Sequence, residues 1–291
     1  MTVGINLLEI RDLTIDFHTD EGLVRAVDNL SLNIRPAEVM GLVGESGSGK
    51  TSLGKAMLGA APISSGGVQY YNTEKKVTFG VGKPVKRKRL ARTTQLVFQD
   101  PYSSLNPRMT ARDIIAEPLE AMRLTKSREE TDQKVIEVAK RCHIEVEHLR
   151  RFPYAFSGGQ RQRISIARAL VCKPKFIVAD ESVAALDVSI QAEILNLLKE
   201  PKEEPGLTIL FISHDLSVIA NLCDWVCVMR HGELVEQGSV RQIFLNPQQA
   251  YTQKLISSIA LLDVKKNRPR RSPEWPCMAL YGRAIGFCRA M

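Results

Sequence analysis

The order of apolar and polar positions predicts two kinds of strand near the start of the chain. Apolar and polar residues alternate over much of 7–17, which is typical of a strand with one buried face, and a second strand follows the turn at 19–22. Residues 39–43 form a continuous apolar run, which indicates a strand covered on both faces. A glycine-rich turn and a helix beginning near Lys50 come next. The pattern therefore predicts a strand–loop–helix unit after two amphipathic strands.

The middle of the chain has a different pattern. Between about 66 and 92, glycines, a proline and a basic run indicate an exposed hairpin or loop, closed by a short strand at 95–98. From about 99 to 172 the period is helical. The predicted amphipathic helices lie near 110–123, 128–142 and 160–172. We expect this segment to be an all-helical insertion.

Strands and helices alternate after residue 172. The predicted elements are a strand at 176–179, a helix at about 189–199, a strand at 208–212, a short helix, a strand at 225–229 and a helix at about 249–261. Such alternation favours a mostly parallel sheet. The chain is thus expected to be an α/β protein with a helical insertion.

Composition narrows the protein class. The 291 residues are 44% hydrophobic and 25% charged, which is typical of a globular protein and excludes mostly disordered chains. No apolar run reaches the roughly 18–20 residues of a membrane-spanning helix, and the N-terminus lacks the pattern of a secretory signal. Six scattered cysteines fit a reducing compartment, and Cys223 and Cys227 have no second ligand pair that would indicate a metal site.

The net charge of +8 makes nucleic acid or an anionic membrane surface a partner to consider. The excess is concentrated in residues 83–92 and 265–291, and the remainder of the chain is slightly acidic. Solvated charge is the simpler interpretation of these two segments, and contact with anionic lipid is the alternative.

A phosphate-binding loop is the most specific motif in the sequence. It reads Gly44-Glu45-Ser46-Gly47-Ser48-Gly49-Lys50-Thr51. Glycines let successive N–H groups turn toward phosphates at the positive end of the following helix. Lys50 supplies a positive charge and the Thr51 hydroxyl can coordinate Mg²⁺. A glycine-rich turn without function is the alternative interpretation.

Two further segments carry chemistry. The strand at 176–179 runs into Asp180 and Glu181, which suggests a metal-holding carboxylate beside a general base for an attacking water. Residues 157–160, Ser-Gly-Gly-Gln, open a helix, although each glycine costs roughly 1 kcal/mol of helix propensity. The N–H groups exposed there predict a second phosphate site. One chain cannot easily bring both helix starts to one nucleotide, which indicates a dimer.

These motifs together resemble the ATP-binding cassette of ABC transporters. The similarity covers roughly residues 7–260, and within the family the chain looks like the second ATPase subunit of bacterial oligopeptide, dipeptide or nickel importers. The residues that carry the resemblance are the phosphate loop, Val97-Phe98-Gln99-Asp100-Pro101-Tyr102, Phe156-Ser157-Gly158-Gly159-Gln160-Arg161, Asp180-Glu181, Ala185-Leu186-Asp187, His214 and Ala250-Tyr251-Thr252-Gln253.

The resemblance implies a role for each matching residue. Glu181, His214 and Gln99 would be catalytic, and Thr51, Gln99 and Asp180 would hold Mg²⁺. The ATP-binding residues would be Gly44, Glu45, Ser46, Gly47, Ser48, Gly49, Lys50, Thr51 and Ser52, with Phe17 stacking on adenine. Ser157, Gly158, Gly159, Gln160 and Asp187 would act across a dimer interface. By chemistry alone, Phe17 is a core aromatic, Gln99 a polar loop residue and His214 a capping or buried histidine.

The implied fold is a P-loop NTPase with a RecA-like core, an antiparallel β subdomain and an inserted α-helical subdomain. We expect the core with its β subdomain at 7–98 and 173–246, the helical signature subdomain at 99–172, and a C-terminal helix and irregular tail at 247–291. The implied cofactors are ATP and Mg²⁺. The implied activity is ATP hydrolysis that energises import, with peptides as the cargo and nickel, glutathione or another small solute as alternatives.

The resemblance also implies partners and a location. A paired ATPase subunit would form a heterodimer, with a homodimer as the alternative, and two membrane permeases and an extracytoplasmic solute-binding protein would complete the assembly at the cytoplasmic face of the inner membrane. The rival class is a soluble ABC ATPase that acts on nucleic acid. We expect no nucleic-acid partner, because such proteins commonly carry two cassettes in one chain or large inserted elements.

Several positions depart from the family pattern. Ser182 and Ala184 stand where proline and serine are usual, which predicts a less accurate dimer interface and an active site that still works; a degenerate subunit is the alternative. Ala37 replaces a turn glycine, a change that a surface loop tolerates. Cys277 and Cys288 are too few to ligate an iron–sulfur cluster, and the role of the tail after residue 264 is open.

Overall fold

The computed structural model of the chain describes residues 6–20, 22–71, 76–83, 90–98, 100–181 and 206–257. Two β-sheets are found in this part of the chain, and both contribute to one hydrophobic core. The core joins Phe79 of one sheet to Phe176 of the other through Tyr70, whose ring meets the Phe176 ring edge-on with centroids 6.0 Å apart. The two sheets are therefore packed as one unit.

The first sheet is antiparallel, with the strand order β2-β1-β4-β5. Its strands are β1 (Leu8–Thr19), β2 (Gly22–Ile34), β4 (Ser65–Tyr70) and β5 (Val77–Gly80). The alternation in 7–17 places Leu8, Ile10 and Ile15 in the core, as the sequence predicts. The expected hairpin after residue 66 is present, because β4 pairs antiparallel with β5, but the expectation that it is exposed is wrong, because Val68, Tyr70 and Phe79 are buried in the core.

The second sheet has six strands in the order β10-β9-β3-β8-β7-β6. They are β3 (Val39–Val43), β6 (Thr94–Val97), β7 (Phe176–Asp180), β8 (Thr208–Ile212), β9 (Trp225–Arg230) and β10 (Glu233–Ser239). All are parallel to their neighbours except β10, which pairs antiparallel with β9. Every residue of β3, β7 and β8 is buried, as expected for strands covered on both faces. The carboxyl ends of these strands therefore meet at one edge of the sheet.

The helices of the described residues follow the expected order. They are α1 (Lys50–Met57), α2 (Pro101–Ser104), α3 (Ala111–Ala121), α4 (Arg128–Arg141), α5 (Gly158–Leu170), α6 (Leu216–Leu222), α7 (Val240–Leu245) and α8 (Ala250–Ser257), with 3-10 helices at Val146–Arg150 and Pro153–Ala155. Between β6 and β7 the described elements are all helical. The predicted amphipathic segments correspond to α3, α4 and α5, and the helix predicted at 189–199 lies outside the described residues.

Among the described residues, five elements are absent from the sequence-based prediction. These are β10, an edge strand with only Gly238 buried, the six-residue helix α7 that follows it, the four-residue helix α2 and the two 3-10 helices. An edge strand with little burial has no alternating pattern, so the order of apolar and polar residues does not predict it.

Candidate functional site

The phosphate loop, residues 44–51, follows β3 and leads directly into α1. Gly44 and Gly49 have positive φ angles of 151° and 96°. A Cβ atom on Gly44 would lie 2.2 Å from the Met229 carbonyl oxygen, and one on Gly49 would lie 2.0 Å from the Ala26 carbonyl oxygen. Both positions therefore require glycine. Exposed loop positions are Glu45, Ser46, Gly47 and Thr51; Ser52 is half-buried.

The Lys50 side chain folds back on the loop and is nearly buried. Its ammonium donates hydrogen bonds to the Gly44 carbonyl at 2.9 Å, the Glu45 carbonyl at 2.7 Å and the Ser48 hydroxyl at 3.2 Å. Burial lowers the pKa of Lys50, and two nearby carboxylates oppose that shift. The three oxygens match the three protons of the ammonium, so this cation is fully paired within its own loop.

Thr51 and Asp180 come together at the carboxyl end of β7. The Thr51 hydroxyl donates to Asp180 Oδ1 across 3.2 Å. Burial raises the pKa of Asp180, and the hydrogen bond from Thr51 opposes that shift. A hydroxyl and a carboxylate beside a phosphate loop are hard oxygen donors, the ligand type that Mg²⁺ prefers. The two side chains fit a magnesium site.

Glu181 and His214 meet at the ends of adjacent parallel strands. Asp180 of β7 is paired with Ile212 of β8, and the Glu181 N–H donates to the Ile212 carbonyl at 2.9 Å. His214 Nδ1 lies 3.3 Å from Glu181 Oε1, with the histidine side chain largely exposed. Glu181 holds a φ of 42°, a left-handed conformation that is uncommon for a residue with a side chain. The register of the two strands therefore places a carboxylate and an imidazole in contact beside the loop.

The Ser157 side chain caps helix α5. Its hydroxyl accepts from the Gln160 N–H at 3.3 Å, and Gln160 Oε1 accepts from the Ser157 N–H at 3.0 Å. This capping box uses two of the N–H groups at the helix start, and it leaves those of Gly158 and Gly159 at the positive end of the helix. The arrangement has the anion-binding form that the sequence predicts.

Tyr102 is a residue to which the sequence reasoning gave no role. It is 62% exposed, and the Arg161 guanidinium of α5 lies 4.1 Å from its ring centroid. A Cβ atom on Gly158 would lie 3.8 Å from the Tyr102 hydroxyl. Tyr102 therefore lies beside the capping box. The signal that could have found it is Asp100, which precedes Pro101 and caps α2 by accepting from the Tyr102 N–H at 2.7 Å.

Phe17 lies near the end of β1. It is paired with Val24 of β2, is half-buried and packs partly against the core. Val24 is 51% exposed. An aromatic ring with one side on the core and one open fits either the stacking role or the core role, and the stacking role stays a prediction.

Some predicted site residues cannot be placed. Gln99 and Asp187 lie outside the described residues, as do Ser182 and Ala184.

Among the residues that are described, no group of three or more His, Cys, Asp and Glu residues has the geometry of a metal-ligand cluster. Across those same residues, no helix is long and apolar enough to cross a bilayer.

Comparison with known proteins gives consistent matches. The ABC transporter family model matches residues 27–184. The oligopeptide transport ATP-binding protein OppF of Bacillus subtilis is 46% identical over 91% of this chain and 87% of its own length. The dipeptide transport ATP-binding protein DppF of Lactococcus lactis is 43% identical over 93% of this chain and 86% of its own length.

Solved structures agree with these matches. The ATP-binding cassette MJ0796, in a dimeric post-hydrolysis state bound to ADP and Pi, superposes with a TM-score of 0.70 at 28% identity, covering 80% of this chain and 99% of that chain. A structure of cbiO1 from Clostridium perfringens, part of the ABC transporter complex cbiONQ, gives a TM-score of 0.69 at 28% identity, covering 83% of this chain and 91% of that chain. The expected fold class is confirmed. The chain belongs to the ABC transporter family, and it has the fold of the family's ATP-hydrolysing cassette.

Proposed function

We propose that this protein is the ATP-hydrolysing subunit of an ABC importer of peptides. The observation that carries the proposal is the meeting of the phosphate loop, Asp180 and the Glu181–His214 pair at the carboxyl edge of one parallel sheet. The identity of 46% to an oligopeptide transport ATP-binding protein supports peptides as the cargo. Each residue then has a chemical task.

The loop binds the phosphates of ATP. It lies at the start of α1, where the helix dipole favours negative charge. Lys50 exchanges its contacts with the Gly44 and Glu45 carbonyls for phosphate oxygens. Thr51 and Asp180 hold Mg²⁺, which neutralises charge on the β- and γ-phosphates when it is bound. Phe17 lies on the adenine ring.

Glu181 accepts the proton of the attacking water. As the water oxygen forms a bond to the γ-phosphorus, the bond between that phosphorus and the bridging oxygen of ADP breaks, and the proton passes to the Glu181 carboxylate. His214 holds Glu181 in place through the 3.3 Å contact and faces the γ-phosphate with its exposed edge. Gln99 responds to the γ-phosphate and to Mg²⁺ from the start of the helical region.

The second half of each site comes from another subunit. The N–H groups of Gly158 and Gly159 and the side chains of Ser157 and Gln160 close over the nucleotide held by the partner's loop. Asp187 reaches across the same interface. The dimeric state of the MJ0796 cassette supports this arrangement. A paired, homologous ATPase subunit is the proposed partner, with a second copy of this chain as the alternative.

The complete assembly has two permeases and lies at the cytoplasmic face of the inner membrane. The relatives named for oligopeptide and dipeptide transport support permease partners. Closure of the two cassettes moves their helical parts, and the permeases bound to them change conformation. An extracytoplasmic solute-binding protein delivers the cargo and acts on this chain only indirectly.

The cargo is tested by ligand-stimulated ATP hydrolysis. The chain is purified with its paired ATPase and permeases, the complex is placed in lipid nanodiscs with the solute-binding protein, and hydrolysis is measured with oligopeptides, dipeptides, nickel or glutathione. We expect peptides to stimulate hydrolysis, and a Lys50→Ala complex to show no stimulation. Stimulation by nickel or glutathione alone would contradict peptide cargo, and failure to associate with any permease would contradict the transport function.

A further inference from the structure

The C-terminal helix of the described part contacts the phosphate loop. The Tyr251 hydroxyl on α8 accepts a hydrogen bond from the Glu45 N–H at 3.2 Å, across 206 positions of sequence. Glu45 is the second residue of the loop, directly after Gly44 with its positive φ. A side chain outside the nucleotide-binding motifs therefore bonds to one of the amides that shape the loop.

The Tyr251 ring is itself held in place. The Arg230 guanidinium, at the end of β9, lies 4.9 Å from the ring centroid, a distance suited to a cation–π interaction. Just before α8 the N–H groups of Gln248 and Gln249 donate to the Glu236 carboxylate at 2.8 and 3.1 Å. The helix that carries Tyr251 is thus tied to β10, and the hydroxyl has little freedom to leave the loop.

The Glu45 peptide takes part in two of the hydrogen bonds within the loop. Its carbonyl accepts from the Lys50 ammonium at 2.7 Å and from the Ser48 N–H at 3.2 Å. When Lys50 turns to a phosphate, the stronger of these bonds is lost. The bond from the Glu45 N–H to Tyr251 does not depend on Lys50, so it can hold the Glu45 peptide in place during that change.

A second contact holds the far side of the loop. The Gly232 N–H, in the turn between β9 and β10, donates to the Ser48 carbonyl at 3.1 Å. The loop is therefore bound at Glu45 by α8 and at Ser48 by the β9–β10 turn. Elements that come long after the motif in sequence thus contact the loop at two positions.

We propose that Tyr251 is a positioning residue, whose hydroxyl holds the Glu45 peptide so that the phosphate loop is arranged for nucleotide before nucleotide binds. Preorganisation of this kind raises affinity because less order must be gained on binding. The Tyr251 hydroxyl takes no part in breaking the bond between the γ-phosphorus and ADP. Loss of the hydroxyl is therefore expected to weaken nucleotide binding and to leave the chemical step intact.

The test compares Tyr251→Phe with a matched control. Tyr251→Phe removes only the hydroxyl and keeps the ring under Arg230. Tyr71→Phe is the control, because the Tyr71 hydroxyl also makes one exposed hydrogen bond, to Glu9 on the antiparallel sheet. Full-length variants are titrated with a fluorescent ATP analogue, and ATP hydrolysis by the assembled complex gives KM and kcat. Hydrogen exchange of the peptide that contains Glu45 reports on the loop directly.

We expect Tyr251→Phe to raise the Kd for the ATP analogue about two- to tenfold, the effect of one hydrogen bond. KM should rise in parallel at an unchanged kcat, since the lost interaction is one of binding. The Glu45 amide should exchange faster than in the wild type, and Tyr71→Phe should change none of these values. An unchanged Kd for Tyr251→Phe, an equal change for Tyr71→Phe, or a fall in kcat at constant KM would overturn the proposal.

Discussion

Strained backbone is found at single residues at both ends of the six-stranded sheet. Glu181, His231 and Ala37 have left-handed φ angles of 42°, 48° and 60°. For a residue with a side chain this conformation costs roughly 1–2 kcal/mol. Glu181 carries the proposed base, and His231 precedes the Gly232 that holds the phosphate loop. Strain at these two positions accompanies a functional site. Ala37 lies before β3, at the end of the strand away from the loop, and has no such role.

The strain at Ala37 predicts that Ala37→Gly stabilises the protein. Glycine removes the cost of the positive φ at this position. The greater freedom of glycine in the unfolded chain offsets part of the gain, so we expect a net increase of about 0.5 kcal/mol in the free energy of unfolding. Thermal melting measures it.

Ala60→Gly is the control for that change. Ala60 is exposed and lacks a positive φ, so the same substitution there should destabilise by roughly 0.4–1 kcal/mol. Equal destabilisation by both variants would contradict the account of Ala37. The surface loop tolerates the alanine, as the sequence suggested, and the structure adds that it does so under strain.

Glu38, beside Ala37, predicts a pH dependence. Burial raises the pKa of Glu38 above 4.5, with Asp224 adding to the shift and the Arg35 N–H opposing it. The folded chain therefore holds this proton more tightly than the unfolded chain. Ionisation of Glu38 therefore lowers the free energy of unfolding as the pH rises above 4.5. This loss of stability is complete once the pH exceeds the raised pKa of the folded chain. Below pH 4.5 the loss is absent.

Glu38→Gln removes the charge of this half-buried side chain and keeps an acceptor for the Arg35 N–H, which donates to Glu38 Oε2 at 3.0 Å. We expect this variant to be more stable than the wild type at pH 7 and equal to it near pH 4. Chemical denaturation across that range measures the difference in the free energy of unfolding, and Glu147→Gln, a change at an exposed residue, is the control. A stability difference that does not shrink at low pH would mean that the charge is not its cause.

At the scale of elements, α5 is joined to the segment that follows β6. The Arg168 guanidinium donates to the Ser104 carbonyl at 2.8 Å and lies 5.9 Å from the Phe98 ring centroid. Burial lowers the pKa of Arg168, and the nearby Glu117 carboxylate opposes that shift. Helix α5, which begins with the capping box, therefore contacts residues that precede and follow Gln99 in the sequence, Phe98 and Ser104.

Arg168→Ala should separate these elements. The change removes a half-buried side chain and leaves the Ser104 carbonyl without this donor, so we expect a loss of about 1–3 kcal/mol in the free energy of unfolding. Denaturant titration measures it. Arg150→Ala, an exposed arginine in a nearby 3-10 helix, should change stability by no more than about 0.5 kcal/mol. Similar losses for both variants would show that Arg168 does not connect the two segments.

The elements also show what a sequence can predict. The continuous apolar runs of β3, β7 and β8, and the glycine spacing of residues 44–51, are local signals, and both lead directly to the edge of the sheet where Asp180 and Glu181 lie. The contact of Tyr251 with Glu45 spans 206 positions and has no local pattern. The Glu181–His214 contact depends on the register of β7 and β8, which the sequence does not specify alone.

In the whole molecule, the proposed function gives each chain two half-sites. In the described residues, no hydrogen bond or ion pair joins the phosphate loop to the Ser157–Gln160 helix start. A chain with two separate anion-binding helix starts can complete a nucleotide site only with another subunit. Under the proposed function, ATP is therefore a ligand that joins two chains.

Glu181→Gln tests whether ATP joins two chains in this way. The variant keeps the size and hydrogen-bonding capacity of the side chain and loses the base. Mixed with its paired ATPase, or alone if the chain pairs with itself, it should bind ATP at normal affinity and hydrolyse it roughly 10²–10⁴ times more slowly. ATP should therefore convert it to a stable dimer in light-scattering measurements, and Lys50→Ala should remain monomeric. Hydrolysis by Glu181→Gln at the wild-type rate, or ATP binding without a dimer, would contradict the account.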